Sequence, residues 1–593
     1  MLGMPRCRPV TRGASHLLSV CLPARFWDHP PTASPLMITR RDALIRLALA
    51  APLTSRALVQ RVQHLAPPQE LRADLVIIGG GLGGCAAALS AARRGLRVIM
   101  TEETDWIGGQ LTQQAVPPDE NQWIETIGGT RSYLALRTAI REYYRQRGTL
   151  TPAARANPRL NPGNGWVSRL CCEPRVALAV LEEMLAPYVA SGHVRLLRRH
   201  KALSADVTRD RVRAIRVRDL DADRDLVLHA PYFADATELG DLLPLTGTEY
   251  VVGAESARET GEPHAASVAD PGNVQAFTVC FAMDYLRGED HTIERPRAYN
   301  EWRTTMVVAD DGNPYPLLSF RDPANARIGF DPVGRSTYFS YRRIIDRTLF
   351  APGTYAGDVT VVNWGLNDYS FGSLIDVSPD DAARHVERAG QLSLSLLYWL
   401  QTEAPRPDGG AGWPGLRLRP DIVGTSNGLA KYPYIRESRR IRAEFTVREQ
   451  HVTLDARMRE TGLAKADVRP AEFPDSVGIG HYSMDLHLTT RGDRGRYGAT
   501  LPFQIPLGAL IPQRMENLLP ACKNLGVTHL TNGCYRLHPI EWNIGESVGH
   551  LVAECQARKE TPRAIAHRAA WRAALQTNLE RDGVPLAWPR DLR

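Results

Sequence analysis

Hydrophobic and polar positions follow a regular order in one stretch near the N-terminal end of the chain. Leu75–Ile78 is a short apolar run rich in β-branched residues, which is typical of a buried strand in a parallel sheet. The alanine-rich stretch Ala86–Arg94 favours a helix, and Gly95 is a typical residue at the end of one. Arg97–Thr101 predicts a second strand, so the three segments together indicate a βαβ unit.

Glycines occupy the turn between the first strand and the helix, in the order Gly79-x-Gly81-x-x-Gly84. The first permits a tight turn, the second lets the backbone approach a pyrophosphate, and the third lets the helix pack on the strand. Gly83 lies in the same turn, and the N-terminus of the helix favours negative charge. Glu102 lies 23 residues after Gly79, where an acid accepts hydrogen bonds from adenosine ribose hydroxyls. The stretch therefore predicts a dinucleotide site.

A second glycine pair, Gly108 and Gly109, follows in the segment DWIGGQLT. Backbone without side chains suits close passage along the pyrophosphate and ribityl chain of FAD. A nicotinamide dinucleotide has no need of such a loop. We therefore expect FAD as the cofactor.

Weaker patterns follow in the middle of the chain. Pro174–Val189 has helical periodicity, and the stretch that follows predicts strands with turns at Arg209-Asp210 and at Asp221–Asp223. From about residue 261 to residue 500, helical stretches such as Ala382–Leu400 alternate with loops, among them a surface loop at 405–415.

The C-terminal part predicts a strand and a long helix. Leu518–Ala521 is typical of a short strand, and Pro539–Val552 predicts a helix that starts at a proline. Gly545 and Gly549 would allow this helix to pack closely, and its N-terminus could stabilise negative charge on a reduced flavin. Residues 556–593 continue as an amphipathic, arginine-bearing tail, which we expect to be a solvated face.

These elements predict an α/β protein, and the family resemblance described below implies a split FAD-binding Rossmann-type domain, a β-meander and a large inserted α+β substrate domain. The predicted boundaries are 1–36 for a disordered segment or one upstream of the true initiator, 37–57 for a signal, 72–260 and 501–556 for the two parts of the FAD-binding domain, 261–500 for the substrate or cap domain, and 557–593 for a helical tail.

The net charge of +7 is concentrated at the N-terminal end of the chain. Residues 1–57 contain eight arginines and two aspartates, a net charge of +6, which leaves about +1 for the remainder. Because the sequence lacks a basic stripe with interleaved aromatic residues, we expect no nucleic-acid partner. It also lacks a run of 18 apolar residues, so we expect no integral membrane span.

The arginine-rich N-terminal segment is typical of an export signal. Arg40 and Arg41 precede the apolar run Ala43–Leu53, and small residues follow near Ala57. Adjacent arginines resemble a twin-arginine signal, which predicts a periplasmic or extracellular protein with Met37 as its initiator. The alternative is a cytoplasmic enzyme with a disordered basic leader.

Cysteine and histidine spacings predict no metal site. The nine cysteines include no C-x-x-C pair, so neither a zinc site nor a redox motif is indicated. Buried free thiols are the expected role for most of them. No pair of histidines with H-x-x-x-H spacing falls on a convincing helix.

Five segments together resemble the FAD-dependent oxidoreductase family. They are GGGLGGCAAALSAARRG, DWIGGQLT, FADATELGDLL, YIRESRRI and LHPIEWNIGESVGHLVA. The resemblance covers about residues 72–556 and belongs to the glutathione-reductase-like FAD-binding superfamily, with tricarballylate-dehydrogenase-like and fumarate-reductase-like flavoproteins among the relatives. It implies that the region of Gly545 closes over the flavin and that FAD is bound by Gly79, Gly81, Gly84, Glu102, Gly109 and Gln110.

The superfamily also accounts for the predicted strands after residue 200. Its members have a β-meander there, which leads into a strand that ends in Ala-Thr-Gly. Here Glu238 replaces that glycine, and Asp235 is expected near the dinucleotide. A redox cysteine pair and a second G-x-G-x-x-G motif are both absent from the sequence, which argues against a pyridine-nucleotide–disulfide enzyme.

A flavin dehydrogenase needs polar groups near the ring, because a base takes a proton while the flavin takes a hydride. Arg439 and Arg440 could hold a substrate carboxylate bidentately. The candidate catalytic residues are Tyr482, His487, His529, Arg536 and His538, from the segments HYSMDLH and THLTNGCYRLHP. HYSMDLH also offers His481 and Asp485, and the segment NWGLNDY offers Asn363, Asn367 and Asp368.

The sequence predicts an FAD-dependent dehydrogenase that acts on a small polar organic substrate by hydride transfer to flavin N5. It does not identify the substrate or the electron acceptor, and a monomer and a homodimer are both compatible with it. One alternative is a C=C reductase with an external electron donor. Another is a non-catalytic exported flavoprotein that binds carbohydrate or cell-wall material through Trp364 and Trp413 of the insert.

Overall fold

Five parallel strands form the sheet that the glycine-rich motif predicts. Leu75–Ile78 is the central strand, and all four of its residues are buried. Leu518–Pro520 lies at one edge, so the chain returns to this sheet long after leaving it, and the FAD-binding domain is split as predicted. From edge to edge the strands are Leu518–Pro520, Tyr232–Asp235, Leu75–Ile78, Val98–Glu102 and Val194–Arg198.

The computed structural model describes residues 68–308, 312–320, 329–493, 496–590 and 592. The predicted segments 1–36 and 37–57 lie outside the described residues. Within the described part, no helix combines the length and the apolar character needed to cross a membrane. The seven cysteines in this part are buried free thiols, which agrees with the expectation for most of them.

Two helices pack against each other over the central strands. The helix Leu82–Arg93 follows the glycine turn, and we call it the dinucleotide helix. The helix His538–Arg558, which we call the closing helix, crosses it at glycines. A Cβ atom at Gly545 would lie 1.9 Å from Gly83 O, and one at Gly83 would lie 1.9 Å from Ala521 O. Only glycine fits at these two positions because backbone already occupies the space.

The predicted β-meander is confirmed. Its antiparallel strands turn at Arg209 and Asp223, which have φ values of +55° and +49°. A fourth strand, Gln69–Arg72, which the sequence pattern does not predict, pairs in parallel with the last strand of the meander. The strands of the meander are His200–Thr208, Arg211–Asp219 and Arg224–His229.

The inserted region contains its own antiparallel sheet and hydrophobic core. The long helix Pro379–Thr402 packs beside a sheet formed by Arg343–Ile345, Val359–Val362, Phe281–Tyr285 and Leu416–Leu418. Trp364 and Trp413 belong to this core and are only 3% and 4% exposed. Buried rings cannot stack on a polymer, so the observation behind the carbohydrate-binding alternative is lost.

The remaining elements are short strand pairs and helices around the parallel sheet and around the core of the inserted region. The boundaries at 260/261 and 500/501 stay predictions. The strand pairs are Phe277–Thr278 with Asp368–Tyr369, Met306–Val308 with Pro314–Pro316, Tyr250–Val251 with Arg440–Ile441, Ser476–Gly480 with Phe503–Pro506, and Met484–Leu486 with Arg496–Gly498. The other helices are Arg131–Gln146, Pro152–Ala156, Pro174–Ala190, Leu242–Thr246, Ala257–Thr260, Tyr299–Thr304, Tyr338–Tyr341, Pro420–Val423, Glu449–Val452, Leu454–Thr461 and His529–Tyr535, with single 3₁₀ turns at Gly109–Leu111, Arg347–Leu349, Gly365–Asn367 and Leu507–Leu510.

The C-terminal tail is helical, but it is not a solvated face. Its helices, Pro562–His567 and Ala569–Arg581, lie against the closing helix. Leu575 and Leu579 are fully buried, and Trp588 Nε1 donates a hydrogen bond to Phe503 O at 3.0 Å. The expectation of a solvated tail was wrong because its apolar stripe packs into the main core.

Candidate active site

The glycine turn lies directly against the end of the neighbouring strand. Gly79 has φ +97°, and a Cβ atom there would lie 2.3 Å from Ala236 O. A Cβ atom at Gly84 would lie 2.3 Å from Gly79 O. At Gly81 the nearest atom, Ala236 O, would be 3.2 Å away. The turn therefore exposes backbone without side chains at the carboxyl ends of the parallel strands, where dinucleotides bind.

Glu102 ends the strand beside the turn, as predicted. Its carboxylate accepts hydrogen bonds from Gly80 N at 2.9 Å, Thr104 N at 2.8 Å and Gln113 Nε2 at 3.1 Å. Burial raises the pKa of Glu102 to about 7, against these hydrogen bonds. The carboxylate is thus held rigidly at the position expected for the ribose contact.

Asp235 organises the loop that follows its strand. Its carboxylate accepts hydrogen bonds from Thr237 Oγ1 at 2.7 Å and from Leu242 N at 3.0 Å. Burial raises its pKa to about 7. Asp235 thereby fixes the backbone of Ala236, which packs on Gly79. A direct contact between Asp235 and the cofactor stays a prediction.

The second glycine pair touches the first glycine motif. Gly108 N donates to Gly80 O at 2.7 Å. Gly109 has φ +52°, and a Cβ atom there would lie 3.0 Å from Gly81 Cα. Gln110 follows and donates through Nε2 to Arg536 O at 3.1 Å. The sequence predicts that both glycine motifs bind the same cofactor, and in the structure the two motifs are in contact.

Two acids and a lysine, which the sequence analysis did not select, surround this turn. Glu541 Oε1 accepts from Gly83 N at 3.0 Å. Lys523 Nζ contacts Glu238 Oε2 and lies 3.6 Å from Glu541 Oε2. Burial alone would lower the pKa of Lys523, but the neighbouring acids raise it well above its ordinary value. Lys523 is therefore a buried ammonium ion.

The donors and acceptors around the turn fit FAD. The buried oxygens Gln110 Oε1, Gln113 Oε1 and Glu238 Oε1 have no hydrogen-bond partner within the described residues. Buried acceptors of this kind need donors, and the hydroxyls of a ribose or a ribityl chain supply them. The glycine turn supplies the close backbone approach that a pyrophosphate requires.

Gly545 lies on the closing helix, where it packs against Gly83 rather than facing open space. Its cofactor contact stays a prediction, and the structure gives it a packing role.

His538 is fully buried at the start of the same helix. His538 Nδ1 accepts from Asp119 N at 3.1 Å, and Nε2 donates to Val116 O at 3.2 Å.

This geometry describes a neutral imidazole. Burial lowers the pKa of His538 to about 4, even though Asp119 opposes the shift. The sequence predicts His538 as a candidate catalytic group beside the flavin. The structure makes it a buried connector between the closing helix and the segment Val116–Asp119, without a positive charge at neutral pH.

Three buried arginines converge beyond this segment, and we call Arg342, Arg436 and Arg536 the arginine cluster. Arg342 pairs with Asp119 at 3.3 Å. Arg436 pairs with Asp368 at 2.9 Å. The arginines are 7%, 2% and 2% exposed, so each needs nearby acceptors. Asp119 links the cluster to His538 and thus to the closing helix.

His487 and two acids join two of the arginines. His487 Nδ1 lies 2.5 Å from Asp368 Oδ2, and its Nε2 lies 3.4 Å from Asp485 Oδ2. Asp485 Oδ2 is also 3.4 Å from Arg536 Nη2. The order of contacts is therefore Arg436, Asp368, His487, Asp485 and Arg536.

The pKa values in this row of contacting residues favour a protonated, positively charged His487. Burial would raise the pKa of Asp368, but Arg436 and His487 lower it to about 2. Burial and Arg436 would lower the pKa of His487, but Asp368 and Asp485 outweigh them and raise it. His487 consequently holds a proton between two carboxylates.

Tyr482 lies beside the same groups. Burial raises its pKa well above its ordinary value, and Asp119 and Asp485 act in the same direction. Its hydroxyl therefore stays protonated. The sequence-predicted residues Tyr482, His487 and Arg536 are brought together here.

His529 belongs to a different environment. Its Nδ1 contacts Glu437 Oε1 at 3.0 Å, and its backbone N donates to Glu255 Oε2 at 2.8 Å. It lines a cavity of about 190 Å³ together with Leu486. The partners of His529 are therefore Glu437 and Glu255 rather than the acids of the arginine cluster.

The predicted carboxylate-binding arginines are already paired. Arg439 contacts Asp376 at 2.9 Å and Asp241 at 3.1 Å. Arg440 contacts Glu437 and lies 2.9 Å from Glu255. Both guanidinium groups therefore contact acids of the protein, and binding of a substrate carboxylate by this pair stays a prediction. Arg436, from the same motif YIRESRRI, enters the cluster instead.

Asn363 and Asn367 have different roles. Asn363 Oδ1 accepts from Arg436 Nη2 at 3.1 Å, which places it in the cluster. Asn367 Oδ1 accepts from Trp364 N at 2.9 Å and stabilises a turn.

His481 packs edge-on against Trp123, with ring centroids 4.9 Å apart, and burial lowers its pKa to about 4.

The cluster contains donors without acceptors. Arg436 Nε, Arg536 Nε and Asn363 Nδ2 are buried and have no hydrogen-bond partner in the described part of the chain. Unpaired buried donors cost free energy unless a ligand satisfies them. A ligand that offers several acceptor oxygens, such as a carboxylate, matches this set.

The parallel sheet, the glycine turn and the Glu102 carboxylate together define a dinucleotide-binding protein. The model of the family described as FAD dependent oxidoreductase matches residues 74–579, and the chain belongs to this family. FAD is its cofactor, and the protein is an FAD-dependent oxidoreductase.

Curated relatives match only short segments. N,N-dimethylglycine/sarcosine dehydrogenase from Chromohalobacter salexigens is 40% identical over 80 residues, which are 14% of this chain and 11% of that protein. A ferredoxin:CoB-CoM heterodisulfide reductase component from Methanosarcina acetivorans is 34% identical over 62 residues, or 10% of this chain and 8% of that protein. The matches thus span about a tenth of the length of each relative.

Solved structures are similar at low identity. A variant of the E. coli quinol fumarate reductase protein FrdA is 11% identical, with a TM-score of 0.29, over 86% of this chain and 74% of that chain. Glycerol-3-phosphate dehydrogenase from Bacillus halodurans, in complex with FAD, is 13% identical, with a TM-score of 0.20, over 39% and 41% of the two chains. TM-scores of this size do not establish a shared fold.

Proposed function

We propose that the protein is a dehydrogenase that oxidises a small polar substrate carrying a carboxylate. The observation that carries this proposal is the set of three unpaired donors in the arginine cluster, on Arg436, Arg536 and Asn363. A carboxylate would accept hydrogen bonds from these donors and complete the charge balance of the cluster. FAD, when bound, supplies the two-electron acceptor by taking a hydride at N5.

The protein's own groups would bind the substrate and manage its proton. Arg436 and Arg536 orient the carboxylate. His487 keeps a proton between Asp368 and Asp485, and Tyr482 keeps its hydroxyl proton beside them. The Asp368 and Asp485 carboxylates, which both contact His487, would be the acceptors for the proton that the substrate releases.

A second candidate is a C=C reductase that takes electrons from an external donor. The protonated states of His487 and Tyr482 favour it, because reduction of a double bond consumes a proton as well as a hydride. The same residues would then act in the opposite direction, as proton donors.

Anaerobic titration of the purified holoenzyme distinguishes the two directions. Oxidised protein is mixed with saturated hydroxy, amino and N-methylamino acids, and photoreduced protein is mixed with unsaturated acids. Sarcosine and N,N-dimethylglycine belong in the panel because a relative matched over a short segment is named for them. Bleaching by a saturated acid supports the dehydrogenase, and reoxidation by an unsaturated acid supports the reductase. A flavin that responds only to uncharged analogues would refute the carboxylate assignment.

A matched pair of variants tests the assignment of the arginine. Arg436→Lys removes the unpaired Nε–H and should raise KM about tenfold to a hundredfold, since a hydrogen bond to a charged group is worth about 1.5–3 kcal/mol. Arg439→Lys, in a residue paired with Asp241 and Asp376, should leave KM nearly unchanged. FAD content should stay the same in both variants. Equal effects at the two positions would contradict the assignment.

We also propose export by the twin-arginine route. The support is the order of Arg40, Arg41, the apolar run and the small residues near Ala57. The cytoplasmic alternative differs in leaving the segment from Met37 uncleaved.

A further inference from the structure

A side chain of the protein itself occupies the anion position at the start of the dinucleotide helix. Glu541 Oε1 accepts a hydrogen bond from Gly83 N at 3.0 Å, and Glu541 is fully buried. Gly83 lies in the first turn of a 12-residue helix. The first turn of a helix has unsatisfied N–H groups and a partial positive charge, which favour an anion.

The same position belongs to the pyrophosphate in the dinucleotide motif. The sequence Gly79-x-Gly81-x-x-Gly84 exposes this backbone so that a pyrophosphate can approach it. A Cβ atom at Gly81 would lie 3.3 Å from Glu238 Oε1 and 3.4 Å from Glu541 Oε1. Glu238 Oε1 is buried without a hydrogen-bond partner among the described residues. The Glu541 carboxylate therefore lies where the motif directs a dianionic ligand, with the Glu238 carboxylate next to it.

The other oxygen of the Glu541 carboxylate accepts a hydrogen bond from Gln110 Nε2 at 2.5 Å and lies beside Lys523. The Lys523 ammonium lies 3.6 Å from Glu541 Oε2 and 3.6 Å from Cys522 Sγ, and it also contacts Glu238. Ligand atoms of Glu238, Cys522 and Glu541 lie within 4.8 Å of one another, and the ammonium is next to all three. A glutamate side chain has three rotatable bonds, so the carboxylate can leave Gly83 N while the closing helix stays in place.

We propose that Glu541 competes with the pyrophosphate of FAD for the start of the dinucleotide helix, so that FAD binding displaces this carboxylate towards Lys523. The carboxylate stabilises the helix N-terminus when it holds Gly83 N, and it opposes the phosphate charge while it stays there. This inference concerns cofactor loading, and it does not depend on the identity of the substrate.

The test measures FAD affinity in apoprotein prepared from the full chain. Glu541→Gln keeps the length of the side chain and removes its charge, so the Kd for FAD should fall about tenfold. Glu546→Gln is the matched control, because Glu546 is buried on the same helix but accepts a hydrogen bond from Ser132 Oγ at 2.6 Å instead. Its Kd should stay at the wild-type value. Flavin fluorescence quenching and calorimetry both report these constants without any turnover.

Thermal unfolding supplies a second readout. The Tm of the Glu541→Gln apoprotein should fall, because the helix N-terminus loses its anion, while FAD should raise its Tm more than it raises that of the wild type. An unchanged or higher Kd in this variant would overturn the proposal. An equal gain in Glu546→Gln would do the same, since it would reflect overall charge alone.

Glu541→Asp keeps the proposal testable if the glutamine variant fails to fold. The shorter side chain retains the charge next to Lys523 and withdraws the carboxylate from Gly83 N. We expect a Kd for FAD below that of the wild type. A wild-type Kd in this variant would show that the carboxylate and the pyrophosphate do not compete.

Discussion

Replacing His538 with glutamine tests whether its buried imidazole is neutral. His538 is fully buried, accepts from Asp119 N through Nδ1 and donates to Val116 O through Nε2. Burial lowers its pKa from 6.5 to about 4 in the folded protein. The unfolded chain therefore binds a proton on this side chain at a higher pH than the native protein does.

The sign and size of the effect follow from this difference. Burial of neutral His538 has no cost in the free energy of unfolding above pH 6.5. As the pH falls from 6.5 towards 4, protons bind His538 preferentially in the unfolded chain, so the free energy of unfolding decreases. One pKa unit corresponds to about 1.36 kcal/mol, so His538 should cost the wild type about 2 kcal/mol between pH 7 and pH 4.5. Glutamine does not titrate and removes this contribution.

Urea unfolding of the wild type and of His538→Gln at pH 7 and pH 4.5 measures this contribution of His538 to the free energy of unfolding. His538→Gln should be less stable than the wild type at pH 7, by about 1–3 kcal/mol for disturbed buried hydrogen bonds. The difference in free energy of unfolding between the wild type and His538→Gln should narrow by about 2 kcal/mol at pH 4.5. A gap that stays constant or widens at low pH would refute the neutral imidazole. So would a lower flavin reduction potential at pH 7, because that result requires a positive charge on His538.

His550→Gln is the matched control on the same helix. Burial lowers the pKa of His550 to about 3, and its neighbours are Arg94 and Asp582 rather than residues of the site. We expect the same narrowing at low pH as in His538→Gln, with unchanged FAD occupancy. A change in flavin properties in this control would show that the readout is not specific to the site.

Three further predictions concern the cofactor, the packing and the N-terminus. Gly81→Glu adds a third carboxylate beside Glu238 and Glu541, so the protein should purify without flavin absorbance; a yellow protein with full occupancy would contradict the dinucleotide site. Gly545→Ala places a Cβ atom 1.9 Å from Gly83 O and should cost about 3 kcal/mol in urea unfolding. Gly365→Ala, whose Cβ would meet nothing within 4 Å, should change stability by less than about 0.5 kcal/mol. N-terminal sequencing of the mature protein should find a start near Ala57, and an intact start at Met37 would refute export.

The sequence by itself determined the local elements and the cofactor class. Hydrophobic period and glycine spacing predict the central strand, the dinucleotide helix and the acid at the end of the next strand, because these features depend on residues close together in the chain. The turns of the meander were likewise readable from Arg209-Asp210 and Asp221–Asp223. Tyr482, His487 and Arg536 were selected from their motifs, and the structure brings them together.

Only the tertiary structure decided which charged residues face the site. The three arginines of YIRESRRI all pair with acids that are distant in the sequence, and only the fold brings Arg436 together with Arg342 and Arg536. Ion pairs join residues far apart in the chain, such as Asp119 with Arg342. Local pattern carries no information about such pairs.

The same reason explains the charges around the cofactor turn. Glu541 and Lys523 reach Gly83 only because the closing helix crosses the dinucleotide helix at glycines. His538 is neutral only because the fold buries it between Val116 and Asp119. A sequence identifies a titratable residue, but its protonation and its partner depend on burial and on neighbours that the fold assembles.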